Sequence, residues 1–190
     1  MQKSKIGFFG GCFNPPSNVH LNLAKNLIKD GIIDKVIFVP VGDYYEKNNL
    51  ASAKDRYNML KIACKDYENI EVEDIAIIHQ DKLYAVDTFK LIYDKYNAIA
   101  DIYLIMGSDN FEKMPTWKNY EELMQNYKFI VLERLNHKNT ADPENVLFYK
   151  TNPTEDISAT CIREKLNKNA DTSEYLDKKV LEYIQANKIY

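Results

Sequence analysis

The chain has 190 residues, of which 45% are hydrophobic and 28% are charged, and its formal net charge is -3. This length and balance are typical of one globular domain with a hydrophobic core of its own. Proteins that bind nucleic acid without base specificity usually carry a positively charged surface, so the net negative charge predicts no nucleic-acid partner. The sequence contains no long apolar run, and we predict no transmembrane helix and no membrane partner.

The N-terminal stretch "MQKSKIGFFGG" places basic residues before an apolar patch. That patch is too short for the core of a signal peptide, so we interpret it as a first strand and expect a cytoplasmic protein. The cysteines Cys12, Cys64 and Cys161 are odd in number and lack C-x-x-C spacing. This pattern predicts neither a zinc site nor a disulfide framework.

Short apolar runs alternate with helical patterns along most of the chain. In chain order, we predict a strand over 5–9, a helix from about residue 18 to Gly31, a strand over 35–40, a helix over 52–66, a strand over 70–77, a helix over 85–97, a strand over 101–107, a helix over 117–126, and strands over 128–134 and 145–150. Strands that alternate with helices of this length predict an α/β fold, a Rossmann-like doubly wound parallel sheet.

The pattern changes near residue 155. Residues 157–167 and 172–187 both show helical periodicity, with no strand between them. We therefore predict one domain over 1–190, in which 1–155 forms the Rossmann-like core and 156–190 a small helical C-terminal part.

The candidate sites follow from this fold. Doubly wound sheets bind ligands beyond the carboxyl ends of their strands, where the strand order reverses. The loops that follow the predicted strands are therefore the places to inspect, and they cover 10–18, 41–52, 107–116 and 134–144. Within the last of these, 135–144 is the best candidate for a mobile loop.

The first of these loops reads "GGCFNPPSNVH" over 10–20. Gly10 and Gly11 follow a strand and precede a helix, where bare backbone N–H groups can approach a phosphate closely. Two prolines stiffen the route into the helix, and His20 falls in its first turn, from which an imidazole can donate to a phosphate. Taken alone, the loop also fits a tight turn with a capping histidine.

A second cluster reads "ISATCIR" over 157–163. Ser158 has the character of a helix N-cap, and Thr160 and Arg163 share one helix face because they are three residues apart. Hydroxyls, a helix start and a guanidinium together make a compact anion receptor. Taken alone, the cluster also fits a capped helix with a surface arginine.

Together the two clusters resemble the paired signature of the nucleotidylyltransferase superfamily, and within it the nicotinate/nicotinamide mononucleotide adenylyltransferases. Three further segments resemble that family in the same order: "VPVGDYYEKNNLASAKDRYNML", "LYAVDT" and "IMGSDNFEKMPTWKNYEEL", followed by "VLER". The resemblance runs along nearly the whole chain. In the first of these segments Lys47 and Arg56 match the family's lysine and arginine. Considered without the resemblance, these two residues fit groups that contact a phosphate, groups that orient the loop, or solvated surface charges.

The resemblance implies transfer of the adenylyl group of ATP to nicotinate mononucleotide, which gives nicotinate adenine dinucleotide and pyrophosphate in NAD biosynthesis. The mononucleotide phosphate attacks directly, with no covalent enzyme intermediate. Mg²⁺ accompanies ATP and is held mainly by phosphate oxygens, so no metal-ligating residue is predicted. Nicotinamide or dual specificity, another acceptor such as phosphopantetheine or choline or glycerol phosphate, and a catalytically decayed regulatory protein are alternatives. A homo-oligomer is left open.

The resemblance also implies roles for individual residues. Its catalytic residues are His20, Ser17 and Arg163. Its ATP-binding residues are Gly10, Gly11, Cys12, Phe13, Asn14, Ser17, His20, Gly107, Asp109, Ile157, Ser158, Thr160 and Arg163. Its mononucleotide-binding residues are Lys47, Tyr84, Ala85, Thr88, Trp117 and Arg134, with the Trp117 ring stacked on the pyridine ring.

The chain departs from the family pattern at several positions. Ser17 and Val19 stand where bacterial members usually have histidine and glycine, although eukaryotic members resemble N-P-[IV]-T-N-M-H. Cys12 replaces a serine or threonine, and Ala85 replaces a threonine. These departures bear on the choice of pyridine base and on the regulatory alternative.

Overall fold

The computed structural model describes residues 3–44, 49–79, 81–133, 143–151 and 158–190. Three of the predicted site residues, Lys47, Arg134 and Ile157, lie outside these ranges. So does the predicted loop over 135–144, except for its last two residues.

Six strands of the described chain form one parallel sheet. They are β1 (Ser4–Gly11), β2 (Lys35–Pro40), β3 (Ile70–Val72), β4 (Ala100–Gly107), β5 (Lys128–Glu133) and β6 (Val146–Lys150). The order across the sheet is β3-β2-β1-β4-β5-β6, and every neighbouring pair is parallel. The strand order therefore reverses between β1 and β4, which is where such a sheet opens a crevice for a ligand.

Seven α-helices of the described chain cover the sheet. They are α1 (Asn18–Lys29), α2 (Ala53–Cys64), α3 (Ala85–Tyr96), α4 (Ser108–Lys113), α5 (Tyr120–Asn126), α6 (Ala159–Asn167) and α7 (Lys178–Ala186), with a 3₁₀ turn over Met114–Thr116. Phe8 and Phe9 of β1 point to opposite faces, since side chains alternate along a strand. Phe9 packs with residues of α1, α2, α6 and α7, and Phe8 with residues of α3 and α5. Both faces are covered, and the predicted doubly wound α/β fold is confirmed.

The strand predicted over 70–77 is wrong beyond Val72. Only Ile70–Val72 pairs with β2, and the residues that follow form turns. Ile75 and Ala76 are adjacent and both buried in the core beneath α3, which a strand with alternating faces would not give. The apolar pattern of this segment reflects its burial. Its backbone is not a strand, because beyond Val72 it does not pair with β2.

Two predicted helices are shorter than their periodicity indicated. The helix predicted over 117–126 begins at Tyr120, because Trp117 is extended and Asn119 is left-handed with φ +56°. The helix predicted over 172–187 begins at Lys178, since the Asp177 carboxylate accepts from the Lys179 and Val180 N–H groups and caps it there. The short helix α4 was not predicted, because six residues show too little periodicity.

The other element ends that the structure describes agree with the sequence to within about two residues. Helix α1 begins at Asn18, and Gly31 follows its C-cap with φ +68°, the left-handed backbone that favours glycine there.

Among the described residues, no helix is both long enough and apolar enough to cross a membrane. Cytoplasmic location, the single-domain division and homo-oligomerisation stay predictions.

A buried arginine holds together the loops that leave β1 and β2. The Arg56 side chain is 0% exposed and lies in α2. Its guanidinium donates to the carbonyl oxygens of Ala51 at 2.9 Å, Cys12 at 3.1 Å and Val41 at 2.7 Å. The sequence left three roles open for this residue, and the loop-orienting one is correct.

Arg56 is a costly group to bury. Burial lowers its pKa below the usual value, which the nearby Cys12 and Asp43 partly oppose. The Asp43 carboxylate lies 3.7 Å away and its side chain is 67% exposed, so this ion pair contributes little. The bonds to carbonyl oxygens are therefore the main compensation for taking the charge out of water.

We expect Arg56→Met to lower the free energy of unfolding by about 3–5 kcal/mol, because it leaves several buried carbonyl groups without a donor. Urea denaturation measures the change. The exposed neighbour variant Lys54→Met is the matched control and should stay within about 0.5 kcal/mol of the parent. A loss below about 1 kcal/mol in Arg56→Met would show that the loops hold without it.

Candidate active site

A cleft of about 1020 Å³ opens beyond the carboxyl ends of β1 and β4, at the reversal of strand order. Every predicted site residue that the structure describes lines it. These residues are Gly10, Gly11, Cys12, Phe13, Asn14, Ser17, His20, Tyr84, Ala85, Thr88, Gly107, Asp109, Trp117, Ser158, Thr160 and Arg163. Residues distant in the sequence therefore share one cleft, as the fold predicts.

The first loop is shaped by a buried aromatic ring. Phe13 is 3% exposed and has φ +48°, a backbone conformation that few side chains adopt. Its ring packs edge-on against the rings of Phe9, Phe38 and His20, with centroid distances of 5.8, 5.2 and 5.2 Å. The ring thus anchors the turn to the core and supports His20 from below.

The two glycines of the loop differ in the space around them. A Cβ atom at Gly11 would come within 3.0 Å of the Phe13 ring, whereas one at Gly10 would meet no protein atom within 4 Å. Gly11 is therefore required by packing within the protein. Gly10 faces open space in the cleft, so a side chain added there would collide only with a ligand.

Asn14 connects four parts of the chain although it is only 3% exposed. Its side chain donates to the carbonyl oxygen of Asn49 at 2.7 Å and accepts from the backbone N–H of Ala51 at 3.0 Å. The Tyr190 hydroxyl also donates to its side-chain oxygen. Its backbone carbonyl accepts from the Arg163 guanidinium at 2.8 Å. The loop is thus fixed on several sides.

Ser17 and His20 form the start of α1. The backbone N–H of Ser17 donates to His20 Nδ1 at 3.0 Å, and the Ser17 hydroxyl lies 2.9 Å from the same nitrogen. A nitrogen that accepts from a backbone N–H keeps its lone pair, so the neutral ring carries its proton on Nε2. Ser17 is 3% exposed, and its contacts direct the histidine.

The second cluster forms the N-terminus of α6. The Ser158 hydroxyl caps the helix by accepting from the Cys161 N–H at 3.2 Å, as predicted. Arg163 donates to the Thr160 hydroxyl at 3.2 Å, so both share one helix face. The bond from Arg163 to the Asn14 carbonyl joins this cluster to the first loop across 149 residues.

Comparison with known proteins assigns the family. The model of the cytidylyltransferase-like family matches residues 8–165. A Lactococcus lactis protein, named a probable nicotinate-nucleotide adenylyltransferase, is 34% identical over 99% of this chain and 96% of its own. One of the same name from Fusobacterium nucleatum is 33% identical over 95% of this chain and 97% of its own. The chain belongs to the nicotinate-nucleotide adenylyltransferase family.

Solved structures share the fold of this adenylyltransferase family member. The nicotinic acid mononucleotide adenylyltransferase of Plasmodium falciparum, complexed with NaAD, superposes with a TM-score of 0.82. It is 20% identical and covers 98% of this chain and 97% of its own. The same protein complexed with APC gives a TM-score of 0.81. At this identity the likeness establishes the architecture.

The adenylyltransferase cleft contains residues that the sequence did not single out. Tyr44 lines it, and burial raises the pKa of its hydroxyl, opposed by hydrogen bonds with Gly42 and Thr88. Lys82 and Lys118 line it beside Tyr84. Lys82 directly precedes "LYAVDT" and Lys118 follows Trp117, so proximity to these predicted site residues was the available signal. Outside the cleft lining, Tyr190 holds the Asn14 side chain, and nothing in the sequence indicated that contact.

We expect Gly10→Ala to weaken ATP binding about tenfold while the melting temperature stays unchanged, because the added methyl group meets the nucleotide and no protein atom. Calorimetric titration with ATP and a thermal melt measure the two quantities. Gly31→Ala is the opposite control: its left-handed backbone should lower stability and leave ATP affinity intact. Unaltered ATP affinity in Gly10→Ala would place the phosphates elsewhere.

Proposed function

We propose that this chain transfers the adenylyl group of ATP to nicotinate mononucleotide, releasing nicotinate adenine dinucleotide and pyrophosphate. One observation carries the proposal: His20 and Arg163, from two clusters far apart in sequence, line one cleft and are joined through the Asn14 loop. The names of the curated relatives and of the Plasmodium falciparum complexes support the same reaction.

The bonds exchanged in this reaction need no nucleophile from the protein. A phosphate oxygen of the mononucleotide attacks the α-phosphorus of ATP in line, and the bond from that phosphorus to the bridging β-phosphate oxygen breaks. The attacking phosphate is already an anion, so a strong general base is not required. The protein accelerates such a step by positioning the reactants and by stabilising charge on the phosphates.

His20 is the proposed donor to the phosphates. Its Nδ1 is held by Ser17, so Nε2–H is the atom that donates to a phosphate oxygen in the cleft. Ser17 then acts through His20, as a positioning residue, and this is how a hydroxyl-bearing residue can stand where bacterial relatives usually have histidine. The edge-on contact with Phe13 further limits rotation of the imidazole.

The N-terminus of α6 is the proposed receptor for the β- and γ-phosphates. Ser158 and Thr160 present hydroxyls there, and Arg163 presents a guanidinium that Asn14 and Thr160 already hold in place. The partial positive charge of the helix start adds to this attraction. Because these groups are fixed before ATP arrives, little ordering is required on binding.

Mg²⁺ is the proposed companion of ATP. When bound, it would neutralise charge on the phosphate oxygens during the transfer. Asp109 is a carboxylate lining the cleft, and among the described residues no group of three or more His, Cys, Asp or Glu side chains forms a metal cage. Carboxylate and phosphate oxygens are the hard ligands that Mg²⁺ prefers.

The mononucleotide is proposed to bind at the other end of the cleft. Tyr84, Ala85 and Thr88 present the N-terminus of α3 there, and the half-buried ring of Trp117 offers a stacking surface. Gly107, the last residue of β4, and Asp109, in the first turn of α4, would contact the ATP ribose. Lys47 and Arg134 keep their proposed roles from the family resemblance.

Pyrophosphate release from ATP tests the reaction directly. We expect release with nicotinate mononucleotide and none with phosphopantetheine, measured in parallel with nicotinamide mononucleotide as a third acceptor. Release that depends on phosphopantetheine would change the assignment within the superfamily. Tight ATP binding with no release from any acceptor would favour the regulatory alternative.

Removal of His20 tests its role as a donor. We expect His20→Ala to lower kcat at least about a hundredfold, by analogy with the loss of one donor to a developing oxyanion. Steady-state kinetics measures kcat, and His79→Ala, which alters an exposed histidine outside the cleft, is the matched control.

Ser17→Ala separates positioning from direct catalysis. This variant keeps the backbone N–H that holds His20 Nδ1, so we expect kcat to fall less than about tenfold. A loss as large as that of His20→Ala would assign the Ser17 hydroxyl a direct contact with the reacting phosphates. Near-full turnover in His20→Ala would remove the histidine from the mechanism.

A further inference from the structure

Two lysines lie over one aromatic ring at the mononucleotide end of the cleft. Lys118 Nζ is 4.5 Å from the centroid of the Tyr84 ring, and Lys82 Nζ is 5.5 Å from it. Both distances are within the range of a cation–π contact. All three residues line the cleft together with Trp117.

These lysines are separated from the proposed phosphate site. Trp117 packs against the core that α3 and α5 cover, and Tyr84 is the N-cap residue of α3. Arg163 lies on α6, over the opposite face of the sheet. The two ammonium groups therefore add positive charge at the end of the cleft where the triphosphate is not proposed to bind. An anionic group of the second substrate is the ligand that this charge would attract.

Neither ammonium group has a carboxylate partner in the part of the chain that the structure describes. Within the described chain, neither Lys82 nor Lys118 forms an ion pair, and each has the neutral Tyr84 ring as its contact. Two like charges near one ring repel each other, and an anion bound close to both relieves that repulsion. The neighbouring carboxylate of Asp87 accepts from the Tyr84 backbone N–H and does not line the cleft.

We propose that Lys118 and Lys82 bind the carboxylate of the nicotinate ring and so make this site prefer nicotinate to nicotinamide mononucleotide. The inference rests on the proposed function. The two mononucleotides share the ribose and the phosphate and differ only in the ring substituent. A carboxylate accepts from both ammonium groups, whereas the neutral carboxamide also presents an N–H₂ donor that they repel.

Adjacent aromatic side chains fit the same ligand. Trp117 precedes Lys118 in the chain, so a pyridine ring stacked on the indole would bring its substituent near the ammonium group. Tyr84 holds the two lysine side chains at the cleft wall, which lowers the conformational entropy lost when they bind an anion. Both lysines are exposed, so the preference should weaken as salt screens the charges.

The test compares both mononucleotides in the intact protein, with Lys82→Met, Lys118→Met, the double variant and the charge-retaining Lys118→Arg. We expect the double variant to raise KM for nicotinate mononucleotide about tenfold, with kcat and the KM for nicotinamide mononucleotide changed less than about twofold. Lys118→Arg should keep most of the preference. Raising the salt concentration should reduce the preference of the parent protein and not that of the double variant.

Lys128→Met is the matched control, because Lys128 Nζ lies 5.5 Å over the Tyr103 ring at the amino end of β5, away from the cleft. It should leave both KM values unchanged. Equal losses for both mononucleotides in the double variant would overturn the proposal, since the lysines would then act on the shared phosphate or on packing. Unchanged selectivity in the double variant would also overturn it.

A binding measurement separates this proposal from the proposed function. Trp117 is the single tryptophan of the chain, so its fluorescence reports occupancy of this end of the cleft without any turnover. We expect tighter binding of nicotinate than of nicotinamide mononucleotide, and loss of that difference in the double variant. Selective binding without pyrophosphate release would sustain the lysine site while contradicting adenylyl transfer; equal binding of both would refute the lysine site.

Discussion

The buried guanidinium of Arg56 is the interaction on which the geometry of the cleft depends. A single planar cation donates to the ends of two loops and to the start of α2, and each acceptor is a backbone carbonyl. Carbonyl oxygens at the ends of parallel strands have no further strand to pair with, so they need donors. One side chain meets that need and fixes the wall against which a nucleotide would bind.

The two proposed phosphate-binding clusters meet beside this wall, at Asn14. Its side chain forms hydrogen bonds with Asn49, Ala51 and Tyr190. Its backbone carbonyl oxygen accepts a hydrogen bond from Arg163. The arginine is thus held before any ligand binds. Such preorganisation suits a reaction in which both substrates are anions and the protein contributes charge and orientation.

Much of this arrangement could be predicted from the sequence. Alternating apolar runs and helical periods predicted the doubly wound sheet. The two short clusters predicted residues that line one cleft. Local patterns gave wrong ends where strand pairing or helix capping determined the backbone. Strand β3 ends at Val72, where its pairing with β2 ends. Helix α7 begins only after its N-cap residue Asp177, later than the periodicity indicated. Tyr190 carries no local signal, since its hydroxyl bonds to Asn14, 176 positions away in the sequence.

The sequence by itself determined the fold class, the family and the residue types at the proposed phosphate end of the cleft, because these depend on local periodicity and on short contiguous motifs. Only the tertiary structure decided that Arg56 orients loops, that Ser17 directs His20 Nδ1, and that two lysines lie over Tyr84. Spacing along a chain does not specify which carbonyl, ring nitrogen or aromatic face a long side chain reaches. Packing of the elements around the sheet fixes those contacts.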